Sequence, residues 1–168
     1  MAGGEPAAVR ELYARHGPAL FSYLWSRLGS RRSAEEVVQD VMLAAWKAAP
    51  DFRGESTVRT WLFAIAHRRA VNAGRRRSLA APAPEPDEFP EPDSATGIER
   101  ALDIVDLRAA IDSLPPEQRT TLELVFAHGL SLNDVADATG VAPGTVKSRL
   151  HRAKRALRRF LEEGPTNG

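Results

Sequence analysis

The residues best placed to do chemistry lie in the last third of the chain. Between Lys147 and Arg159 there are seven basic residues and no acid. On a helical wheel Val146, Leu150, Ala153 and Leu157 share one face, Ser148, His151, Arg152 and Arg155 centre on the opposite one, and Lys147, Arg149 and Lys154 sit on the flanks. A helix that enters the major groove of DNA needs this division, because central side chains reach base edges while flanking cations grip phosphates on either side. Arg152 suits guanine, whose two major-groove acceptors match the guanidinium fork. A solvated basic face is the plain alternative. The preceding residues favour DNA: Ser131-Leu132-Asn133-Asp134 reads as a capping box opening a short helix, Gly140 closes it, Val141-Ala142 turns, and Pro143 precedes the long helix. That is helix-turn-helix spacing.

A second cationic stretch runs from Arg68 to Arg77, with five arginines and no acid. It ends a helix in which Val58, Trp61, Leu62, Ile65 and Ala66 fall at i, i+3, i+4, i+7 and i+8, a single apolar face. This register places Trp61 in a core. It turns Phe63 and His67 away from the apolar face, makes Phe63 the ring expected to stack on a base, and sets Arg68 and Arg69 on the flanks. Ahead of this helix, Phe52-Arg53-Gly54-Glu55-Ser56 offers backbone amides, a hydroxyl, an acid and a base. Such a loop suits an extruded base, and equally suits a simple connector.

Catalytic constellations do not emerge. The absence of cysteine removes disulfides, thiol catalysis and Cys-ligated zinc, and His16, His67, His128 and His151 lack metal-ligand spacing. No nucleophile elbow, Walker loop or dinucleotide-binding glycine run occurs, and Asp134 and Asp137 read as cap and surface. The expectation is a protein without catalytic residues, metal or cofactor.

The elements that must carry these residues follow from composition and periodicity. At 168 residues, 27% charged and 43% hydrophobic, the chain has room for one domain or two small ones. Its net charge of +1 conceals a division: residues 1–77 carry 13 bases and 7 acids, residues 78–99 no base and 6 acids, residues 100–168 10 bases and 9 acids. The five prolines between Ser78 and Asp93 deny that segment helix and central-strand pairing. It reads as an extended acidic linker able to reach roughly 60 Å over about twenty residues.

Without convincing strand patterns, the fold class expected is all-α: two small helical domains joined by this linker, the second with a helix-turn-helix. The first unit has a helix over Ala7–Leu28, bent near Gly17-Pro18. A second is opened by a capping box at Ser33-Ala34-Glu35-Glu36, buries Val37, Val38, Val41, Met42 and Ala45, and stops before Pro50. The second unit starts near Gly97, with Ile98, Leu102, Val105 and Ala109 in register and an end at Leu114. A helix over 116–128 follows, with Leu122, Val125 and Phe126 inward and Gly129 as a left-handed cap. No apolar run approaches the about eighteen residues of a membrane span, and Met1 to Pro6 does not resemble a signal peptide. A cytoplasmic protein without membrane insertion is expected.

These residues also resemble a known family. Ala34-Glu35-Glu36-Val37-Val38-Gln39-Asp40-Val41, Phe52-Arg53-Gly54 and Trp61-Leu62-Phe63-Ala64-Ile65-Ala66 look like region two of the extracytoplasmic-function (ECF) sigma factors of bacterial RNA polymerase. Leu114-Pro115-Pro116-Glu117-Gln118-Arg119 and Gly144-Thr145-Val146-Lys147-Ser148-Arg149-Leu150-His151-Arg152-Ala153 are similar to region four. Together these cover roughly 125 of 168 residues in the right order.

The resemblance implies an alternative sigma factor that binds core polymerase and directs promoter recognition, melting and initiation. Residues 1–77 would bind the polymerase and the minus-ten element, 78–97 would be the linker, and 98–168 would read the minus-thirty-five element. By motif position, Phe52, Arg53, Gly54, Glu55 and Ser56 would capture a flipped base, with Phe63, His67, Arg68 and Arg69 beside it; Arg68 stands where the family often has asparagine. Thr145, Lys147, Ser148, Arg149, His151, Arg152, Lys154 and Arg155 would contact the minus-thirty-five element. Glu35, Glu36, Gln39 and Asp40 would face the clamp helices of the large catalytic subunit, Glu36 having a cap as its other role. In relatives the linker threads the RNA-exit path, where an acidic strap would mimic RNA charge. Many relatives are held inactive by an anti-sigma protein, so such a partner is an expectation too. The competing reading is a stand-alone helix-turn-helix regulator, which would bind duplex DNA by itself as a dimer.

Overall fold

The computed structural model describes residues 6–79 and 106–163, and every regular element among them is helical. The first unit contains α1 (Pro6–Leu28), α2 (Arg31–Ala48), a 3-10 turn (Ala49–Asp51) and α3 (Val58–Leu79). The second contains α4 (residues 106–112), α5 (Pro116–Phe126), α6 (Leu132–Thr139) and α7 (Pro143–Glu163). Ser78 and Leu79, assigned to the linker by their sequence, continue α3 instead; linker residues 80–97 and the register proposed for Ile98, Leu102 and Val105 lie outside the described residues.

In the first unit α1, α2 and α3 pack against one another pairwise. Val37, Val38, Val41, Met42 and Ala45 of α2 are all buried as their spacing requires, as are Leu20, Tyr23 and Leu24 of α1, the helix it packs against. Helix α1 runs unbroken from Pro6 to Leu28 with Pro18 inside it, where the missing N–H forfeits one backbone hydrogen bond.

The start of α2 differs from expectation. The helix begins at Arg31, and its cap is Ser30, whose Oγ accepts from the Ser33 N–H at 3.3 Å. Ser33 is thus a residue of the first turn, and Glu36 reaches Arg32 at 3.3 Å instead of a backbone amide. Only Ser33 has an acid three residues on, but Gly29, with φ of 68°, ends α1 and leaves Ser30 extended, so the helix starts one turn earlier on the Ser30 hydroxyl.

In the second unit Leu114, Leu122, Leu150 and Ala153 form the core, with Ile111, Leu132 and Leu157 packed around it. Ala110 is buried and Ala109 exposed, so α4 is turned one position from the predicted register. Helix α5 ends at Phe126, two residues early. It buries Leu122 and Leu124 but leaves Phe126 63% exposed, against the inward placement expected. Thr120 and Thr121 turn inward as well, their hydroxyls donating to the carbonyls of Pro116 and Glu117 at 2.8 Å each, so burial leaves neither unsatisfied.

The capping box of α6 is as predicted. The Asp134 N–H donates to Ser131 Oγ at 3.1 Å, and the Ser131 N–H donates to Asp134 Oδ2 at 3.3 Å. Gly129 and Gly140 have φ of 69° and 72°, a region costly for any residue with a Cβ. At Gly140 the following Val141 N–H closes back on Ala136 O at 3.3 Å, which ends α6 and aims the chain into α7.

Candidate nucleic-acid interface

Helix α7 is fastened by Val146, Leu150 and Ala153, all buried. Its other side is free. Thr145, Lys147, Ser148, His151, Arg152, Lys154 and Arg155 are exposed and Arg149 is half-buried, as the wheel predicts. The first acid in the helix is Glu162, so the first four turns present cations and small polar groups without local neutralisation. The exposed row Ser148, His151, Arg152 and Arg155, flanked by Lys147, Arg149 and Lys154, has the hydrogen-bonding groups and charge that base edges and phosphates call for.

The loop between α2 and α3 forms a different kind of site. The 3-10 turn carries Pro50 and is closed by the Phe52 N–H donating to Ala49 O at 3.2 Å. Helix α3 begins on a cap that the sequence reading did not find: Thr57 Oγ1 accepts from the Thr60 N–H at 3.1 Å. Between these anchors the loop borders an open cavity of about 420 Å³ lined by Ala48, Asp51, Phe52, Arg53, Glu55, Ser56 and Trp61. The rings of Phe52 and Trp61 lie 4.7 Å apart at 32° and form its aromatic wall. Its polar rim mixes two carboxylates, a guanidinium and a hydroxyl, which suits a flat group with donors and acceptors better than it suits a phosphate.

This geometry reverses the roles expected of the two rings on α3. Phe63 is 2% exposed, meets Tyr23 edge-on at 5.5 Å, and carries the Arg59 guanidinium 5.7 Å over its other side. It is core, and cannot stack on a base. Trp61, expected in the core, is only partly buried and lines the loop cavity. The apolar face of α3 runs through Thr60, Leu62, Phe63, Ala66 and Ala70, all buried, while Val58 is 36% exposed. The segment is apolar almost all round from Trp61 to Ala66, so periodicity alone leaves its rotation open and the fit to Tyr23 decides it. His67 does not point away either. Its Nδ1 lies 2.8 Å from Tyr23 Oη in a part-buried pair that ties α3 to α1. Arg68 and Arg69 are exposed.

Residues 12–79 match the Sigma-70 region 2 family, and residues 104–157 match Sigma-70, region 4. Over 166 residues the chain is 34% identical to the ECF RNA polymerase sigma factor SigL of Mycobacterium tuberculosis, an alignment covering 96% of this chain and 93% of the relative. The chain belongs to the ECF sigma factors of the sigma-70 family. It is also 36% identical over 160 residues to the ECF sigma factor SigM of M. tuberculosis, covering 94% and 79%. Among solved structures it resembles the sigma factor RpoE of Bartonella quintana in complex with the anti-sigma factor NepR, at 27% identity, TM-score 0.72, and 91% and 96% coverage. It likewise resembles CnrH in complex with the cytosolic domain of CnrY, at 26% identity, TM-score 0.69, and 98% and 94% coverage.

The protein is therefore an alternative RNA polymerase sigma factor, a transcription initiation factor. No described helix of this sigma factor is long and apolar enough to cross a membrane. On its α2, Glu35, Glu36, Gln39 and Asp40 are all exposed. Glu35 and Glu36 pair with Arg31 and Arg32 at 3.2 and 3.3 Å, exposed contacts of little energetic weight. The same side continues into Leu43 and Trp46, each 48% exposed. Sequence reasoning missed these two. The signal was available in their spacing of four and seven residues from Gln39, which continues the polar stripe by one and two helical turns.

Proposed function

We propose that this sigma factor divides promoter recognition between two unlike sites, duplex reading by α7 and capture of an unpaired base by the cavity behind the α2–α3 loop. The segregation of α7 carries the reading: buried Val146, Leu150 and Ala153 fix the helix, and the opposite row is exposed and acid-free. In the minus-thirty-five element Ser148, His151 and Arg152 face base edges, with Lys147 beside them. Arg149 and Lys154 hold phosphates on the two flanks, and Thr145 and Arg155 extend the contact at either end. In this reading residues 98–168 hold this function and residues 1–77 polymerase binding and minus-ten recognition, with 78–97 as the linker; matches to region 2 over residues 12–79 and region 4 over 104–157 support the division.

In the minus-ten element one base leaves the stack and enters the cavity, where the Phe52 and Trp61 rings lie against its face. Arg53, Glu55 and Ser56 then test its edge, and the bend at Gly54 brings the backbone close. Arg68 and Arg69 serve the backbone of the melted strand. Phe63 and His67 support this surface from beneath. Glu35, Glu36, Gln39 and Asp40, extended by Leu43 and Trp46, dock on core polymerase, whose active site performs the nucleotide chemistry; the sigma factor itself catalyses no bond change. It works in the cytoplasm with the polymerase, and an anti-sigma protein, as NepR is for the RpoE of Bartonella quintana, is a further partner.

Size-exclusion co-elution with sigma-free bacterial core polymerase, followed by run-off transcription on genomic fragments, tests the proposal. A one-to-one complex that starts transcripts at discrete sites is expected. A dimer that binds duplex DNA without polymerase would establish the stand-alone regulator instead.

A further inference from the structure

Phe126 has no role in this scheme, yet its setting is unusual. It is the last residue of α5, and at 63% exposed it is the most exposed large apolar residue among those described. Leaving an aromatic ring in water forgoes burial that the adjacent core could have offered. What the ring does meet is a cation: Lys154 Nζ lies 5.4 Å from its centroid. The ring is well placed to define a position, because α5 packs on α7 and is held there by buried Leu122 and Leu124. Lys154, by contrast, has no acid within four residues on either side that would direct its long chain along the helix.

We propose that Phe126 is a positioning residue for promoter binding: its ring holds the Lys154 ammonium at the edge of α7, ready for a DNA backbone phosphate. The inference rests on the reading of α7 as the minus-thirty-five helix. A free lysine chain samples many rotamers and loses that freedom when it grips a phosphate. An ammonium already drawn to a ring face gives up less, and its N–H groups directed away from the ring stay available. The contact involves a phosphate, so its effect is the same for every promoter sequence.

The test uses holoenzyme reconstituted with wild-type protein and with Phe126→Ala, Lys154→Ala, the double variant, Phe126→Tyr and Arg152→Ala. Affinity for duplex promoters carrying different minus-thirty-five sequences is measured over a range of salt. Phe126→Ala is expected to weaken binding about two- to five-fold on all sequences at low salt, with no further loss when added to Lys154→Ala, and Phe126→Tyr is expected to bind as wild type. Wild-type affinity of Phe126→Ala, or losses that multiply in the double variant, would overturn the role of Phe126; a ring that merely stabilises the fold gives the multiplying result. If instead Arg152→Ala left the dependence on minus-thirty-five sequence unchanged, the reading of α7 would fall, and the role of Phe126 with it.

Discussion

The two basic helices of this protein are built in different ways. In α7 the cations and the apolar row occupy opposite sides, so in the proposed scheme the helix that anchors to the core is also the reader. In α3 the N-terminal half is apolar nearly all round, the arginines gather in the second half, and the site is completed by a loop that takes Trp61 for its wall. A rigid face suits the regular edge pattern of a duplex. A cavity suits a base that has already left the stack. Positive charge is common to both surfaces, and in the proposed scheme the arrangement of aromatic residues decides which form of DNA each one takes.

The sharpest way to break this contrast is to exchange the roles of the α3 rings. Phe63→Ala should cost about 3–5 kcal/mol of first-unit stability, since it empties a filled site against Tyr23. Trp61→Ala should cost clearly less in denaturant unfolding and yet lose about 1–3 kcal/mol of holoenzyme binding to a single-stranded minus-ten oligonucleotide. The opposite order in the unfolding experiment would return Trp61 to the core.

On α7, Arg152→Ala should lose about 1–3 kcal/mol, concentrated at one base step of the minus-thirty-five element. Arg149→Ala should weaken every promoter alike and lower the salt slope by roughly one. Equal losses on all promoters for Arg152→Ala would make α7 a simple cationic grip. The caps sharpen the comparison further: by thermal unfolding Ser30→Ala and Ser131→Ala should each cost about 1 kcal/mol.

The smallest effect concerns His16 on α1, whose pKa lies below its ordinary 6.5 because burial, and then the nearby Arg59 and Arg15, disfavour its charged form. The unfolded chain binds a proton that the folded one resists, so first-unit stability should fall as pH drops through 6.5 and level off below the folded pKa. His16→Gln should flatten that fall. An unchanged pH profile would assign it to other groups.

Much of this was legible in the sequence, for reasons that differ by site. The α6 capping box and the α7 faces were plain because each depends on residues close in sequence: Ser131 with Asp134, and Val146 with Leu150 and Ala153. The α2 cap was misplaced by a turn because Ser30 and Ser33 offer similar local chemistry and the end of α1 at Gly29 selects between them. The spacing of four from Leu122 predicts an inward Phe126, but α5 ends there and the chain turns off toward Gly129. The cavity, and the rotation of α3 that makes it, depend on Phe52 meeting Trp61 and on Tyr23 meeting Phe63 and His67 across the unit, contacts that no periodicity encodes.

Duplex reading and unpaired-base capture, proposed for different units, are separated by holoenzyme binding to fully duplex and to pre-melted promoters with Arg152→Ala and Trp61→Ala. The Trp61→Ala defect should persist on the pre-melted template and ignore the minus-thirty-five sequence, while the Arg152→Ala defect should track the minus-thirty-five sequence whether or not the minus-ten element is open. Parallel losses from the two variants on every template would contradict the account.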